Sequence, residues 1–424
     1  MRHHEPYPHY KHSGIEWIGE IPEHWKIAQL GKLAISRCDG PFGSGLKSEH
    51  YTESGVRVVR LQNIGIGEFK NGDAAYISVD HWYDTLGGGH EVLPNDILIA
   101  GLGDDNNPLG RACVAPTSIG EAIVKADCYR FRLGKRVAPE FVALALSATA
   151  RAECGFLATG ATRDRLNLTL ASARKIPVPP PDEQLAIAGA IGRETARIDA
   201  LIAKKSRFMD LVSEKILAMA SLSVEIPGVE WVRLEYASDV ISRPVLQSND
   251  ESYTRLGLYN HGRGIFRKQE ADNEDMGDSD FFWVEEGDLI LSGQFAWEGA
   301  VALATGTHKG CVVSHRFPII RGRDGVALTE FIYALLRTDY GDFILNDCSR
   351  GSAGRNRPLN INALRKWKIP RPALDYQRRV ARLVCLRERV WNRMQLSIDL
   401  LKERRAAFIT AAAIGQIDLR REAA

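Results

Sequence analysis

The segment RKIPVPPPDEQ at residues 174–184 decides the fold, because it leads into a long run to Ser221 that contains no proline and two glycines. Three successive prolines hold the chain extended, so a helix can begin only after them. Asp182 is suited to be its N-cap, and Glu183 lies where the positive end of the helix dipole favours an acidic side chain. The sequence therefore predicts one helix of many turns.

Apolar residues recur within this run at heptad spacing. They form two seams, Ile191, Ile198, Val212 and Met219 on one and Ala188, Ile202, Met209 and Ile216 on the next. This spacing is typical of a helix that pairs with a second helix. Lys205 interrupts the first seam and Thr195 the second, so the pairing is imperfect. A single helix packed on a core is the alternative.

The same passage returns near the C-terminus. The segment KIPRPALDYQ at residues 368–377 leads into a second predicted helix over residues 378–413. Ile369 follows Ile176 by 193 positions, and Gln377 follows Gln184 by the same number. The apolar positions of the second helix are Val384, Trp391, Ile398, Met394, Leu401 and Phe408. A fixed offset between similar segments indicates that the chain contains an internal repeat, with two related halves.

Composition limits the class of protein. With 424 residues, 45% hydrophobic and 25% charged, the chain has ordinary soluble composition and room for two or three domains. No apolar segment approaches membrane-spanning length and the N-terminus does not resemble a signal peptide, so we expect a cytoplasmic protein. The seven cysteines are scattered without a CxxC, which favours neither a zinc cluster nor a disulfide framework.

Each half carries short strand-like segments between Gly, Asn and Asp turns, followed by one helix. The predicted strands include residues 56–61, 64–69 and 97–100 in the first half and 253–259 and 310–320 in the second; the predicted helices span residues 139–150 and 328–338. Both halves also open on Glu-Ile-Pro followed by a tryptophan, Trp25 in one and Trp231 in the other. We therefore expect loop-rich β structure in each half.

A basic, glycine-bearing loop precedes each long helix, TGATRDR at residues 159–165 and RGSAGRNR at residues 350–357. Between residues 348 and 374 there are seven basic residues and no acidic one. Because the net charge is +2, binding to nucleic acid would depend on such local clusters. Arg, Lys, Asn and Gln are the side chains that contact phosphates and base edges. A solvated charged face is the alternative, but recurrence in both halves favours DNA reading.

Catalytic motifs are weak in this sequence. The segment FGSG at residues 42–45 is similar to a methyl-donor loop, but that motif requires a preceding strand and a following helix, and a loop is expected here. Asn107-Pro108-Leu109 lacks the aromatic residue that would stack on a flipped base. There is no P-loop and no nucleophile elbow. We predict no catalytic residue, no cofactor and no metal ion.

Further characteristic segments accompany the two Ile-Pro-x-Pro helix starts: SGIEWIGEIPEHW (13–25), GPFGS (40–44), YTRLGLYN (253–260), GDLILS (287–292) and ITAAAIGQIDL (409–419). In these segments, and over essentially the full length, the chain resembles a family, the DNA-specificity (S) subunits of type I restriction–modification systems. The resemblance implies an α+β fold in which two pseudo-repeated mixed α/β target-recognition domains are separated by two long helices that pair as an antiparallel coiled coil. The implied segments are residues 1–180, 181–222, 223–374 and 375–424.

The resemblance also implies partners. Each domain would read one half of a split site in double-stranded DNA, the helices would dock two methyltransferase subunits, and ATP-driven restriction subunits would join the complex. S subunits carry no catalytic residues of their own. Tyr376 departs from the acidic residue that Glu183 provides at the first helix start. Each added helical turn would move the domains apart by about 5 Å, so helix length is expected to set the half-site spacing.

We predict DNA contacts from loop residues of both halves: Lys47, Asn63, Asn106, Arg163, Arg165, His261, Arg263, Gln294, Arg350, Arg355 and Arg357. Two rival hypotheses stay open. One is a self-sufficient DNA methyltransferase that uses residues 42–45, and the other is a coiled-coil adaptor whose β domains bind protein.

Overall fold

The structure is a computed structural model that describes residues 5–41, 43–87, 89–104, 106–157, 165–246, 252–272, 279–351 and 357–420; of residues 43, 44 and 154–157 it describes the backbone alone. The chain forms two compact units. Unit 1 comprises Met1–Leu201 with Asp399–Ala424, and unit 2 comprises Ile202–Ile398. Each long helix therefore contributes residues to both units.

The helices and strands follow the duplicated order that the sequence predicts. The helices are α1 (Leu30–Leu33), α2 (Pro139–Leu157), α3 (Leu168–Ala173), α4 (Pro181–Glu225), α5 (Leu234–Ala237), α6 (Thr329–Leu336), α7 (Asp339–Asp347), α8 (Ile361–Lys366) and α9 (Leu374–Ala413). The strands of unit 1 are β1 (Tyr10–His12), β2 (Glu20–Pro22), β3 (Lys26–Gln29), β4 (Ala34–Cys38), β5 (Tyr51–Thr52), β6 (Val56–Val59), β7 (Tyr76–Ile77), β8 (Ile97–Ala100), β9 (Ala112–Val114), β10 (Ala122–Val124), β11 (Cys128–Leu133) and β12 (Lys175–Val178). Those of unit 2 are β13 (Glu230–Arg233), β14 (Ser238–Ile241), β15 (Ser252–Leu258), β16 (Ile265–Asp272), β17 (Phe281–Trp283), β18 (Leu289–Leu291), β19 (Val301–Leu303), β20 (Val312–Ser314), β21 (Ile319–Gly322) and β22 (Lys368–Arg371).

One four-stranded sheet has the same topology in the two units. Unit 1 has an antiparallel sheet in the order β4-β11-β8-β9, and unit 2 has one in the order β14-β21-β18-β19. A second four-stranded sheet in each unit contains one parallel pair, β6 with β10 and β15 with β20. A two-stranded sheet then carries the chain into each long helix, β3 with β12 and β13 with β22. The predicted α+β fold with two pseudo-repeated domains is confirmed.

The first long helix begins two residues earlier than it would if Asp182 were its N-cap. Pro181 is the first helical residue, so Asp182 lies in the first turn and is not the N-cap. Proline suits this position, because its ring fixes φ near the helical value and the first turn has no use for its missing N–H. Asp182 and Glu183 are both in that turn, where negative charge is favourable.

The long helices pair antiparallel in each unit. In unit 1 Ile191 shares a core with Ile409, while Asp199 forms an ion pair with Arg405, 3.0 Å from Nε to Oδ1. In unit 2, residues later in α4 contact residues earlier in α9, as expected of antiparallel helices. They join Lys205 to Met394, Ser213 to Arg387 and Met219 to Tyr376.

Both polar interruptions of the heptad seams have local partners. The Lys205 ammonium donates to Met394 Sδ at 3.8 Å, and the Thr195 hydroxyl donates to the carbonyl of Ile191 at 2.8 Å within its own helix. The seam residues Ile191, Ile198, Met209 and Ile216 are buried. The pairing that the heptad spacing predicts is therefore present, and a single core helix is excluded.

Two predicted strands are wrong in their extent. Residues 64–69 form a hairpin turn with one bridge between Ile64 and Phe69, because the Gly65 N–H bonds to the carbonyl of Glu68 at 2.9 Å. Residues 310–320 are interrupted between β20 and β21, where the Phe317 N–H bonds to the carbonyl of Ser314 at 2.9 Å. Turns of this kind depend on main-chain hydrogen bonds that apolar patterning does not report.

The two tryptophans that open the halves are not structural equivalents. Pro177 pairs with Ile27 in β3, and the matching Pro370 pairs with Trp231 in β13. Trp25 is fully buried in the core of unit 1, whereas Trp231 is partly exposed.

None of the helices in the described ranges combines the length and the apolar character needed to cross a membrane.

Candidate nucleic-acid interface

A glycine at the end of a central strand fixes the same main-chain frame in both units. Gly101 follows β8 and donates its N–H to the carbonyl of Asp127 at 2.7 Å, and Gly293, after β18, donates to the carbonyl of Arg316 at 2.6 Å. An added Cβ would lie 2.6 Å from Tyr129 Cε2 at Gly101 and 2.5 Å from a backbone oxygen at Gly293. Glycine is required at both positions because other segments of the same chain approach so closely that they leave no room for a Cβ atom.

The same glycines hold the chain that follows each basic loop. The carbonyl of Gly101 accepts from the Leu166 N–H at 3.0 Å, and that of Gly293 accepts from the Leu359 N–H at 2.8 Å. The next residue in each case, Asn167 or Asn360, caps a short helix through its side chain. The downstream end of each basic loop is thus anchored at a strand end.

The two capping asparagines were missed from the sequence, although a signal was available. Asn360 follows Asn167 by 193 positions, the same offset as the Ile-Pro-x-Pro repeat. Asparagine is among the preferred N-cap residues because its side-chain oxygen accepts from the N–H groups of the first turn. The repeat offset and the residue type together indicate two matched helix caps.

In unit 2 the predicted DNA contacts gather around the turn at residues 293–299. The loop at residues 259–264 is tied to this turn by the His261 N–H, which bonds to the carbonyl of Glu298 at 2.8 Å, and by the Gly262 N–H, which bonds to that of Gly299 at 2.9 Å. His261 and Arg263 are exposed on the loop, and Gln294 is exposed on the turn.

Arg350 and Arg357 border the same turn. Arg357 places its guanidinium 4.7 Å from the centre of the Trp297 ring, while Arg350 is exposed and forms an ion pair with Asp347. The Asn346 amide joins this segment to the turn by donating to the carbonyl of Trp297 at 3.3 Å. We call residues 259–264 and 293–299 with Arg350 and Arg357 the second rim.

In unit 1 the structure brings together two of the predicted residues. Asn106 is exposed on the loop at residues 101–109, and Arg165 forms a bridge with Leu102 of the same loop. Arg165 also pairs with Asp127, 2.8 Å from Nη2 to Oδ1. We call this loop with Arg165 the first rim.

The Asp104 carboxylate shapes the loop of the first rim. It accepts from the N–H groups of Asn106 and Asn107, each at 2.8 Å. These bonds, that of Asn107 first, hold the pKa of Asp104 below its usual value. Asn106 is thereby presented to solvent on a turn whose geometry depends on an ionised carboxylate.

Lys47 lies on a different part of unit 1. It is exposed between two short 3₁₀ turns, Gly43–Leu46 and Ser48–His50, and its ammonium is 3.6 Å from the Glu49 carboxylate. The described contacts of Lys47 do not join it to the first rim.

Asn63 requires a correction. Its side chain is 1% exposed, and its amide holds a loop by accepting from the Arg60 N–H at 2.9 Å and donating to the carbonyl of Lys70 at 3.0 Å. A buried amide with both ends bonded stabilises its own loop, and it lacks the exposure that the predicted DNA contact requires. Arg163 and Arg355 lie outside the described residues.

Two basic residues near the second rim were missed. His315 and Arg316 are exposed in the turn between β20 and β21 and line a cleft of about 360 Å³ together with Gln294 and Pro358. They were hidden because residues 310–320 were interpreted as one strand. The turn signal was the His-Arg-Phe-Pro segment at residues 315–318, since proline is disfavoured inside a central strand.

The structure of residues 43–46 does not favour the hypothesis of a methyl-donor loop. The Gly43–Leu46 segment is a single 3₁₀ turn, followed by a second short turn and β5, so no α-helix opens there. Among the described residues no group of three or more His, Cys, Asp or Glu side chains could hold a metal ion.

Comparisons with known proteins support the fold. No protein-family model matches the chain, and no curated protein matches it. A solved structure concerning complex assembly and conformational transition of the type I R-M system matches with a TM-score of 0.53 at 17% identity, covering 94% of this chain and 99% of that one. The S subunit of the type I restriction–modification system from M. genitalium matches with a TM-score of 0.50 at 14% identity, covering 92% and 96%.

A third solved structure, the HsdS subunit from Thermoanaerobacter tengcongensis, is similar at 16% identity and a TM-score of 0.45, covering 94% of this chain and 98% of that one. The chain thus shares the fold of type I restriction–modification S subunits along most of its length. The resemblance read from the sequence is confirmed at the level of fold.

Proposed function

We propose that this chain is the sequence-specific DNA-binding subunit of a type I restriction–modification complex. In this proposal residues 1–180 and 223–374 are target-recognition domains that each read half of a bipartite site in double-stranded DNA. Two methyltransferase subunits dock on the paired helices, ATP-dependent restriction subunits join them, and the complex acts in the cytoplasm. The chain itself supplies recognition and no catalytic residue.

The observation that carries the proposal is the duplicated rim. In both units a strand-end glycine fixes a loop that exposes amide or basic side chains, and the same glycine anchors the end of a basic loop. Duplicated readers suit a divided target, since DNA presents two half-sites to a protein with two related halves. The fold shared with S subunits points to the same function.

Within the proposal the exposed residues have distinct tasks. Arg165, Arg350 and Lys47 pair with carboxylates that a phosphate would displace, so we assign them to backbone contacts. Asn106 and Gln294 offer side-chain amides, and His261 an imidazole, which can form hydrogen bonds with base edges.

The first test is binding of the full-length chain to duplex DNA of random sequence, followed by fluorescence anisotropy over a salt series. We expect affinity to fall steeply with salt, because phosphate contacts release counterions. Replacing Arg350, Arg355 and Arg357 together should lower the slope by about one unit for each phosphate that is no longer bound. A shallow slope in the wild type would favour the adaptor hypothesis instead.

The second test is selection from a pool of duplexes with a long randomised segment. A bipartite reader enriches two short conserved segments separated by a spacer of fixed length and free sequence. Enrichment of one continuous segment, or of none, would contradict the proposal. Calorimetry with the methyl donor separates the remaining rival, since a self-sufficient methyltransferase would bind it.

Helix length offers a third test. Adding one helical turn to both long helices should lengthen the spacer of the selected site by about one to two base pairs, since a turn rises about 5.4 Å and a base pair about 3.4 Å. A matched variant with the same residues added after Ala424 should leave the spacer unchanged. An unchanged spacer in the helix variant would show that the helices do not set the spacing.

A further inference from the structure

Two arginines of the second rim are held in a different way from the other basic residues of the candidate interface. Arg263 places its guanidinium 5.3 Å from the centre of the Tyr259 ring, and Arg357 lies 4.7 Å from that of Trp297. Each Nε donates to a backbone carbonyl, Arg263 to Asn260 at 3.1 Å and Arg357 to Ser349 at 3.0 Å. Ring and carbonyl together fix both the plane and the direction of the group.

Neither guanidinium has a carboxylate partner among the residues that the structure describes. Arg350 pairs with Asp347 and Arg165 with Asp127, so their charges are locally compensated. The acid in the second rim, Glu298, accepts a hydrogen bond from the Asn260 amide. The charges of Arg263 and Arg357 are therefore available to a ligand.

The segments that carry the two arginines are connected to each other. The loop that carries Arg263 is bonded to the turn that carries Trp297 through the backbone of His261 and Glu298. Arg357 rests on Trp297, and the Asn346 amide bonds to the carbonyl of Trp297. The two rings thus stand on segments that main-chain hydrogen bonds join.

Fixed orientation distinguishes base reading from phosphate binding. A phosphate presents oxygen in many directions, and a mobile cation satisfies it, whereas a guanine edge presents O6 and N7 in one plane. Each terminal nitrogen of a guanidinium carries two hydrogens, so a guanidinium whose Nε is already bonded can still offer both terminal nitrogens to such a planar pair of acceptors. This holds for Arg357 as well, where Nη2 also donates to the carbonyl of Asn346 at 3.5 Å. Stacking on a ring lowers the entropy lost when this pair of bonds forms.

We propose that Arg263 and Arg357 are the specificity-determining residues of unit 2, each reading one guanine, and that Tyr259 and Trp297 are positioning residues that orient them. This inference rests on the proposed function, and it adds which residues read bases and which base they read.

The experiment starts with the full-length wild-type chain and the selected duplex described above. Absence of any enriched sequence would overturn the proposed function itself. With an enriched sequence in hand, Arg263→Lys and Arg357→Lys are measured on the selected duplex and on duplexes with single base changes. Lysine keeps the charge and loses the planar fork, so the variants separate base reading from charge.

We expect each lysine variant to lose discrimination at one guanine position by about 5- to 150-fold while its salt slope stays at the wild-type value. Tyr259→Leu and Trp297→Leu should reproduce part of the loss at the same positions. Tyr259→Phe, which keeps the ring, should retain discrimination. Arg323→Lys serves as the control, because Arg323 lies at the far end of β21 and pairs with Asp239.

Uniform weakening on all duplexes would identify phosphate contacts and overturn the inference, as would unchanged discrimination in both lysine variants. Thermal melting checks that every variant is folded. Arg263 is exposed, so Arg263→Lys decides the question for its own guanine even if Arg357→Lys does not fold.

Discussion

The two rims share a main-chain frame and differ in charge. At the place where a carbonyl accepts the strand-end glycine N–H, unit 1 has Asp127 and unit 2 has Arg316. Asp127 neutralises Arg165, whereas Arg316 is exposed. A frame made of main-chain hydrogen bonds tolerates either side chain, so the chemistry of the rim can change while its shape stays.

The two units also share a main-chain bond and differ in side chain at the residue that precedes β12 in unit 1 and β22 in unit 2. The carbonyl of Arg174 accepts from the Leu30 N–H at 2.8 Å, and that of Trp367 accepts from the Leu234 N–H at 2.9 Å. Arg174 is buried and pairs with Glu153 at 2.7 Å, while Trp367 packs against the Phe343 ring at 5.8 Å. One unit fills this place with an ion pair and the other with aromatic rings.

The helix starts show what is shared and what is not. Gln184 accepts from the Ala138 N–H at 2.8 Å, and Gln377 accepts from the Leu328 N–H at 2.9 Å, so each fixes the start of a domain helix. One residue earlier the units differ, since Glu183 is buried and Tyr376 is partly exposed.

Glu183 binds the N-terminal segment of unit 1. It accepts from the Tyr7 hydroxyl at 2.6 Å and from the Trp25 indole at 3.0 Å, and its Oε2 lies 2.8 Å from Nε2 of His24. Tyr376 instead donates to the carbonyl of Met219 at 2.5 Å, on the partner helix. The departure from the acidic residue thus follows from different surroundings.

The largest effect is expected for Glu153→Ala. It leaves the buried Arg174 guanidinium without its carboxylate, which should cost about 3–5 kcal/mol of unfolding free energy. Urea denaturation measures the loss, and Arg136→Ala, at an exposed position, should stay within about 0.5 kcal/mol of the wild type. A Glu153→Ala variant as stable as this control would show that the ion pair does not stabilise unit 1.

Gln184→Ala and Gln377→Ala test the shared feature. Each removes the acceptor of a helix-start N–H, so each should lower the unfolding free energy by about 1–3 kcal/mol. The comparison predicts similar losses, measured by urea denaturation. A loss confined to one variant would mean that the two glutamines are equivalent in sequence alone.

The difference between Glu183 in unit 1 and Tyr376 in unit 2 can be tested at alkaline pH, because Glu183 accepts a hydrogen bond from Tyr7. Burial first, and then the Glu183 carboxylate, raise the pKa of Tyr7 above its ordinary value near 10. The stabilising contribution is complete below pH 10 and is lost as pH rises, because the unfolded chain ionises first. Unfolding free energy should fall by up to about 1.4 kcal/mol per pH unit there. Tyr7→Phe should have a shallower curve, and identical curves would refute the argument.

The smallest effect is expected for Asp127→Asn, which frees Arg165 and makes the first rim resemble the second. Asn tolerates the left-handed backbone of this position, where φ is 63°. The slope of log affinity against log salt should steepen by up to about 0.9 for duplex DNA. Arg316→Gln should change the slope in the opposite direction. If the wild type, Asp127→Asn and Arg316→Gln have equal slopes, neither Arg165 nor Arg316 contacts DNA.

Much of the fold follows from features that repeat along the chain. The prolines before residue 181 and the heptad spacing after it located a helix that the structure extends to Glu225. The limits of β20 and β21 were missed, since a turn at residues 314–317 depends on a main-chain bond and not on apolar periodicity. Exposed turn residues such as Arg316 were missed with it.

The candidate site was predicted less completely. The sequence predicts Arg263, Gln294 and Arg357 on loops of the second half, and the structure gathers them around one turn. Asn63 has the residue type of a DNA contact but is buried and stabilises its own loop, because residue type alone does not report burial. The offset of 193 residues between Asn167 and Asn360 is the sequence signal for the two matched caps.

By itself the sequence determined that the chain is duplicated and that its long helices pair, because prolines, heptads and a fixed offset act locally or through simple periodicity. Tertiary structure decided which side chains face one another: Asp127 with Arg165, Glu183 with Tyr7, Arg357 with Trp297. These pairs join segments between 38 and 176 residues apart. Contacts over such separations depend on how sheets and helices pack, which spacing along the chain does not encode.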